Sequence, residues 1–291
     1  MIKGMNRLEL FAAQDRFKPY VSDDLLARIS TPIRFKVGSQ EANGFDSDTL
    51  IETGPGMMRV GSKTVKDKHN LGTIDVTTVL AKSSNVGVVK IALSLKPGEM
   101  WQAFDKFGFG RVSGSGFPGE SAGILTGHEH WRSIGQATMS YGYGLSVTPL
   151  QLAQAYAVLG SGGIRRPVSL RKVDAPPPGE RVLDDGVAGE LVTMMEEVVG
   201  DEGTARRARV LGYRVAGKTG TAWKASDTGG YSTNKYMAVF GGVVPASNPR
   251  LAAVVVIDEP TGGPYYGGEV GAPGFSGGGC RAPRPLAGPP P

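Results

Sequence analysis

The 291-residue chain has a single cysteine, Cys280, which excludes an internal disulfide and any cysteine-cluster metal site. Three histidines, His69, His128 and His130, are too few and too loosely arranged for a zinc site. No apolar run approaches the roughly 18 residues of a membrane span; the longest, such as Leu251 to Ile257, have strand length. No charged-then-apolar leader opens the chain. Charge of one sign is scarce as well. Lys plus Arg is 32 against 27 Asp plus Glu, a formal +5, and the basic residues are dispersed apart from Arg206, Arg207 and Arg209. With no aromatics interleaved among them, nucleic acid is not an expected partner. A hydrophobic share of 40% with 20% charged residues excludes general disorder and leaves a globular class.

Gly (44) and Pro (20) are plentiful but unevenly placed. Residues 271–291 hold 12 of them in 21 positions, which predicts a disordered Gly/Pro-rich tail over 274–291. Residues 1–47 are charged and lack a clear period, so their fold stays open. Between 48 and 273 the punctuation is orderly. Val76 to Lys82 and Val86 to Leu95 read as helices either side of Ser83-Ser84-Asn85, and Glu99 to Phe107 as a third. Thr148-Pro149 opens a longer helix, with Thr as N-cap and Pro at the first helical position. Val187 to Val198 makes another. Tyr213 to Trp223, Tyr236 to Val244 and Leu251 to Ile257 then read as three strands of an antiparallel meander. The expected class is mixed α/β, an antiparallel sheet covered by helices.

Two short motifs carry candidate chemistry. Ser83-Ser84-Asn85 is a Ser-x-Asn between two helices; its bland reading is a helix cap. Lys218-Thr219-Gly220-Thr221 lies on the first meander strand; its bland reading is an exposed strand with a bulge-tolerant glycine. Further segments fall in order around them: Leu80 to Gly87, Phe104 to Gly110, Tyr141 to Ala153, Ala216 to Ala222 and Val256 to Pro260.

Together these segments resemble the transpeptidase domain of class B penicillin-binding proteins, nearest the cell-division D,D-transpeptidase (penicillin-binding protein 3) group. The resemblance implies the penicillin-binding, serine β-lactamase-like fold. It also implies acyl transfer on the D-Ala-D-Ala end of peptidoglycan stem peptides, with β-lactams as mimics. Ser83 would relay a proton to the leaving nitrogen, and Asn85 would hold the acyl side-chain amide. Lys218 would supply positive charge, and the Thr219 and Thr221 hydroxyls would bind the terminal carboxylate. Gly220 would keep the strand edge open so that substrate adds as a strand. A backbone N–H in the Thr221–Ala222 region would face the developing oxyanion. Tyr143, Tyr231 and the pair Tyr265-Tyr266 would wall the cleft, or be ordinary half-buried tyrosines. No metal or organic cofactor is implied. Septal divisome proteins and the periplasmic face of the inner membrane are the family's partners and address.

The family's nucleophile, the Ser of a Ser-x-x-Lys ahead of the Ser-x-Asn, is missing. Only Ser169 with Lys172 and Ser232 with Lys235 have that spacing, and both follow Ser83. Asp15-Arg16-Phe17-Lys18-Pro19 keeps the lysine and proline but has Asp in place of Ser. The fold is therefore expected to be incomplete at both ends, leaving apolar sheet surface exposed. Gly277-Gly278-Gly279-Cys280 is not expected to form the family's closing helix. A change of reading frame near each end would account for both breaks. The rival functional readings are a non-catalytic homologue that binds peptidoglycan or divisome partners, and a β-lactamase or β-lactam sensor. The long Tyr141 to Ala153 match speaks against the latter.

Overall fold

The structure, a computed structural model, describes residues 44–226, 230–261 and 263–281. Two short antiparallel ribbons come first. Strand β1 (Leu50–Glu52) pairs with β4 (Thr73–Asp75), and between them β2 (Met57–Val60) pairs with β3 (Lys63–Lys66). These three- and four-residue strands carry too little alternation to be read from sequence. A run of helices follows: α1 (Val76–Lys82), α2 (Asn85–Leu93), α3 (Pro97–Lys106), α4 (Ser133–Ser140) and α5 (Pro149–Gly160). A two-residue ribbon of β5 (Ile164–Arg165) and β6 (Glu180–Arg181) leads to α6 (Asp185–Val199). The meander β7 (Ala216–Ala225), β8 (Tyr231–Val244) and β9 (Leu251–Asp258) precedes a last helix, α7 (Gly267–Arg281).

Local chemistry fixes the helix ends. Thr148 Oγ1 accepts the Gln151 N–H at 3.1 Å while the Gln151 side chain accepts the Thr148 N–H at 2.7 Å, a reciprocal cap that starts α5. Asp75 accepts the Thr78 N–H and starts α1. The buried Gln136 side chain of α4 donates to the Ala92 and Leu95 carbonyls, both at 2.9 Å, and so satisfies the open end of α2.

The sheet order is β7-β8-β9, antiparallel throughout, as the strand periods predicted. Successive side chains face opposite sides. Gly241 faces α5 so closely that a Cβ would lie 2.2 Å from the Tyr156 ring. Its neighbour Phe240 faces the other way and meets Phe275 of α7 edge-on, ring centres 4.9 Å apart. Helices α5 and α6 therefore lie on one face, with α1 packed against α6, and α7 lies on the other face. The main core joins Met100, Phe104, Phe107 and Phe109 to Leu145, Leu152 and Leu191, each essentially out of solvent. Each such side chain contributes roughly 1.5–3 kcal/mol by burial.

Two expectations are corrected. Every residue from Met237 to Val244 is buried, so this part of the middle strand exposes no apolar face; α5 and α6 cover one side and α7 the other. The chain from 274 to 281 is also helical, not a tail. Intrinsic propensity disfavours a helix with seven glycines and an internal proline, but tertiary contact overrides it. Gly267, Gly268, Gly271 and Gly274 lie against the neighbouring backbone and Val255, where a Cβ would come within 2.0–3.0 Å of another atom. The missing side chains let α7 seat Ala272 and Phe275 in the core. Residues 282–291, and most of the N-terminal segment left open by the sequence, lie outside the described residues. Of that segment, residues 44–47 are described, and the Ser47 N–H donates to Glu190 of α6 at 3.1 Å.

Candidate active site

The site begins at the break between α1 and α2. Ser83 ends α1 in the left-handed conformation, φ 59° and ψ 45°. A β-carbon makes that region cost roughly 1–2 kcal/mol, which is why glycine usually occupies it. Ser84 then starts α2: its Oγ accepts the Gly87 N–H at 2.9 Å. The capping reading of this tripeptide is thus correct for Ser84, while Ser83 is turned toward the sheet.

The Asp67 carboxylate locks the break from outside. It accepts from Ser84 Oγ at 2.6 Å, from the Asn85 N–H, and from the Val86 N–H at 3.0 Å. A negative charge on the first N–H groups of a helix is favoured by the helix dipole. Asn85 donates through Nδ2 to the Lys66 carbonyl at 2.7 Å. Its Oδ1 is buried without a hydrogen-bond partner among the described residues. A buried acceptor left open costs free energy unless a donor arrives.

The opposite wall is β7, the edge strand of the sheet. Lys218 is 3% exposed, and its Nζ donates to Ser83 Oγ at 3.0 Å and to the Thr219 carbonyl at 3.1 Å. The exposed-strand reading of this motif is therefore overturned. The one register shift of β7 falls between Trp223 and Ala225, away from Gly220. Thr219 and Thr221 point to the face opposite Lys218 by strand alternation. Thr219 Oγ1 lies 2.9 Å from Thr204 Oγ1, and Thr221 Oγ1 accepts the Gly267 N–H at 3.0 Å.

The tyrosines close one end of the groove. The Tyr143 hydroxyl accepts the Trp223 N–H at 3.1 Å, so that N–H points away from β8. Two residues back, the Thr221 N–H points the same way, toward the groove. Tyr143 meets Tyr231 edge-on at 4.8 Å and Tyr141 at 5.9 Å. Gly142 and Gly144, at φ 107° and 90°, make the bends that bring the Tyr143 ring there. On a different side, Tyr265 stacks on Tyr236 and Tyr266, and Lys68 Nζ sits 4.8 Å above the Tyr266 ring. The hydrogen bond that Tyr265 donates to Tyr266 raises its pKa above the ordinary value. Because Lys68 follows Asp67 and Tyr266 precedes Gly267, the two walls also meet at this second place.

The groove thus pairs a helix-break serine and amide with a buried lysine and two threonines on an open strand edge. Residues 38–276 match the family model described as the penicillin binding protein transpeptidase domain. This chain belongs to that family. Within it, the chain is 47% identical over 217 residues to the peptidoglycan D,D-transpeptidase FtsI of Escherichia coli K12, covering 75% of this chain and 37% of that protein. It is 41% identical over 235 residues to the probable peptidoglycan D,D-transpeptidase PenA of Neisseria meningitidis serogroup A, covering 81% and 40%. The transpeptidase domain of Burkholderia pseudomallei penicillin-binding protein 3, solved without ligand, superposes with a TM-score of 0.81 at 40% identity. That match covers 93% of this chain and 80% of the solved one. The class B transpeptidase fold and the nearness to penicillin-binding protein 3 expected from the motifs therefore hold.

The transpeptidase architecture also clarifies the two Ser-x-x-Lys spacings. Ser169 lies in an exposed loop, its hydroxyl bonded to the Arg171 carbonyl at 2.8 Å. Ser232 is the second residue of strand β8. Its hydroxyl is bonded to Asn234, and Lys235 is paired with Glu259. Neither serine starts a helix. Sequence reasoning missed Asp67 and Thr204. Each lies more than a dozen residues from the motif it supports, so no local spacing pointed to it.

Proposed function

We propose that this domain grips the D-Ala-D-Ala end of a peptidoglycan stem peptide as D,D-transpeptidases do, and that a chain of this sequence forms no acyl-enzyme. The observation that carries the reading is the 3.0 Å bond from Lys218 to Ser83, which joins the two motifs across the groove. Substrate adds to the β7 edge as an extra strand. Its terminal carboxylate goes to the Thr219 and Thr221 hydroxyls at the strand edge. Its acyl side chain lies beside Asn85, and its scissile carbonyl faces the Thr221 N–H. Ser83, hydrogen-bonded to Lys218, is placed to pass a proton to the leaving nitrogen, which an amide leaving group requires. Acyl transfer also needs an activated nucleophile. No serine with a lysine three places on precedes Ser83, and the two that follow are placed elsewhere. What the groove retains is binding and one half of a proton relay.

The family role also suggests divisome partners and the periplasmic face of the inner membrane. Among the described residues no helix is long and apolar enough to cross a membrane. A fluorescent-penicillin gel tests the inactivity: no covalent band is expected at the mass of the chain, with or without Lys218→Ala. A band in the unaltered chain that Lys218→Ala abolishes would show a working nucleophile and refute the inactive reading. Fluorescence of Trp223, 48% exposed at the end of the groove, tests the binding. Its quenching should saturate with Nα,Nε-diacetyl-L-Lys-D-Ala-D-Ala and not with the L-Ala-L-Ala isomer. Equal responses would remove the binding reading.

A further inference from the structure

The loop from Gly200 to Ala205 touches both walls of the groove. Lys82, the last residue of α1, donates through Nζ to the Glu202 carbonyl at 2.7 Å. The Ala205 N–H returns to the Val198 carbonyl at 2.8 Å and Ala205 is buried. Gly203 packs so tightly that a Cβ would sit 2.1 Å from the Val198 oxygen. The Thr204 carbonyl oxygen lies where a Cβ on Gly268 of α7 would be, 2.0 Å away. Held from both sides, the loop sets Thr204 Oγ1 at 2.9 Å from Thr219 Oγ1, and either oxygen can be the donor.

A bound carboxylate removes that freedom. It is acceptor-only, so a hydroxyl that binds it must spend its single proton on it and can only accept from elsewhere. Thr221 already has such an arrangement: its oxygen accepts the Gly267 N–H at 3.0 Å, leaving its proton for the ligand. The equivalent inward donor to Thr219, which is 8% exposed, is the Thr204 hydroxyl.

We propose that Thr204 is a positioning residue of the carboxylate seat: it donates to Thr219 and so commits the Thr219 proton to the terminal carboxylate of the bound peptide. The inference rests on the binding reading above and adds a residue to it. The polarised chain Thr204 to Thr219 to carboxylate is stronger than either bond alone. It selects a free carboxylate over a neutral end, because a carboxamide can also donate and does not force the direction.

The test compares Nα,Nε-diacetyl-L-Lys-D-Ala-D-Ala with its C-terminal carboxamide, using the full chain and Trp223 fluorescence. The unaltered protein should prefer the carboxylate. Thr204→Val should cut that preference about fivefold, the worth of one neutral hydrogen bond, chiefly by weakening the carboxylate peptide. Thr204→Ser should keep it within about twofold. A merely structural role would weaken both peptides together. An unchanged preference in Thr204→Val overturns the proposal. If the unaltered chain binds neither peptide, the binding reading falls and the inference falls with it. A measurement without variants stands beside these: carboxylate peptide, and not carboxamide, should shift the Thr204 amide resonance of the unaltered chain. Equal shifts with both peptides would count against the proposal even if Thr204→Val did not fold.

Discussion

Replacing Asp67 should unfasten the Ser-x-Asn segment without touching it. The carboxylate accepts three hydrogen bonds at the start of α2, from Ser84 Oγ, the Asn85 N–H and the Val86 N–H. Its own N–H donates to the Gly56 carbonyl at 2.9 Å, so it also ties the β2–β3 ribbon region to the helix. A hydrogen bond to a charged acceptor is worth roughly 1.5–3 kcal/mol, and capping a helix about 1 kcal/mol. The segment is only partly buried, so water recovers some of the loss when the carboxylate goes. Asp67→Ala should therefore cost about 3 kcal/mol. In a domain of this size each 1 kcal/mol lowers Tm by about 2–4 °C, which predicts a fall of roughly 6–12 °C. Asp67→Asn keeps one acceptor oxygen but turns an amide N–H toward helix N–H groups, so it should cost about 2 kcal/mol. Thermal melts followed by circular dichroism at pH 7 measure both. A fall below about 2 °C for Asp67→Ala would show that Ser84 alone holds the start of α2 and that the three-bond account is wrong.

Three further outcomes follow from other parts of the fold. In α7, Gly268→Ala should destabilise by more than about 2 kcal/mol, because its Cβ would meet the Thr204 oxygen at 2.0 Å. Gly277→Ala and Gly278→Ala face open space and should each stabilise by up to about 1 kcal/mol; urea unfolding that shows a loss in the latter pair would mean the helix stops short of them. Glu120 is subject to burial, which raises its pKa, but the hydrogen bonds from Ser113 and Ser115 outweigh that and hold it below its ordinary value of 4.5. The folded state then binds the proton more weakly than the unfolded chain, so this contribution is present above about pH 4.5 and is lost as the pH falls through the folded value. Glu120→Gln should flatten that part of the acid limb of a stability–pH profile, and an unchanged limb would refute the assignment. Thr148→Ala should cost about 1 kcal/mol through the α5 cap, read as a lowered urea midpoint with an unchanged slope.

The parts of the fold that declare themselves locally were legible in the sequence. Thr148-Pro149 announced α5 because a cap and a fixed φ need no distant partner. The strand periods gave β7 to β9 in the right order, with ends displaced by a few residues. Ser83 and Lys218 were assigned to one site from motif resemblance, and they stand 3.0 Å apart although 135 residues separate them. Failures came where a distant contact outweighs local preference. Composition argues against helix from Gly267 to Arg281, yet the same glycines are what allow the backbone of α7 to press onto β8 and bring Phe275 against Phe240. Propensity scores a glycine by the entropy it loses; the sheet surface scores it by the space it leaves.

Asp67 and Thr204 were illegible for a related reason. An aspartate in a ribbon-to-strand loop and a threonine after Gly203 look like ordinary turn residues. They become site residues only when the fold sets them against Ser84 and Thr219. The motifs therefore name the side chains that line the groove, while the residues that aim those side chains are distributed through loops with no pattern of their own. Conservative changes in such loops, Asp67→Asn and Thr204→Val among them, should alter how the groove holds a ligand while leaving every motif residue in place.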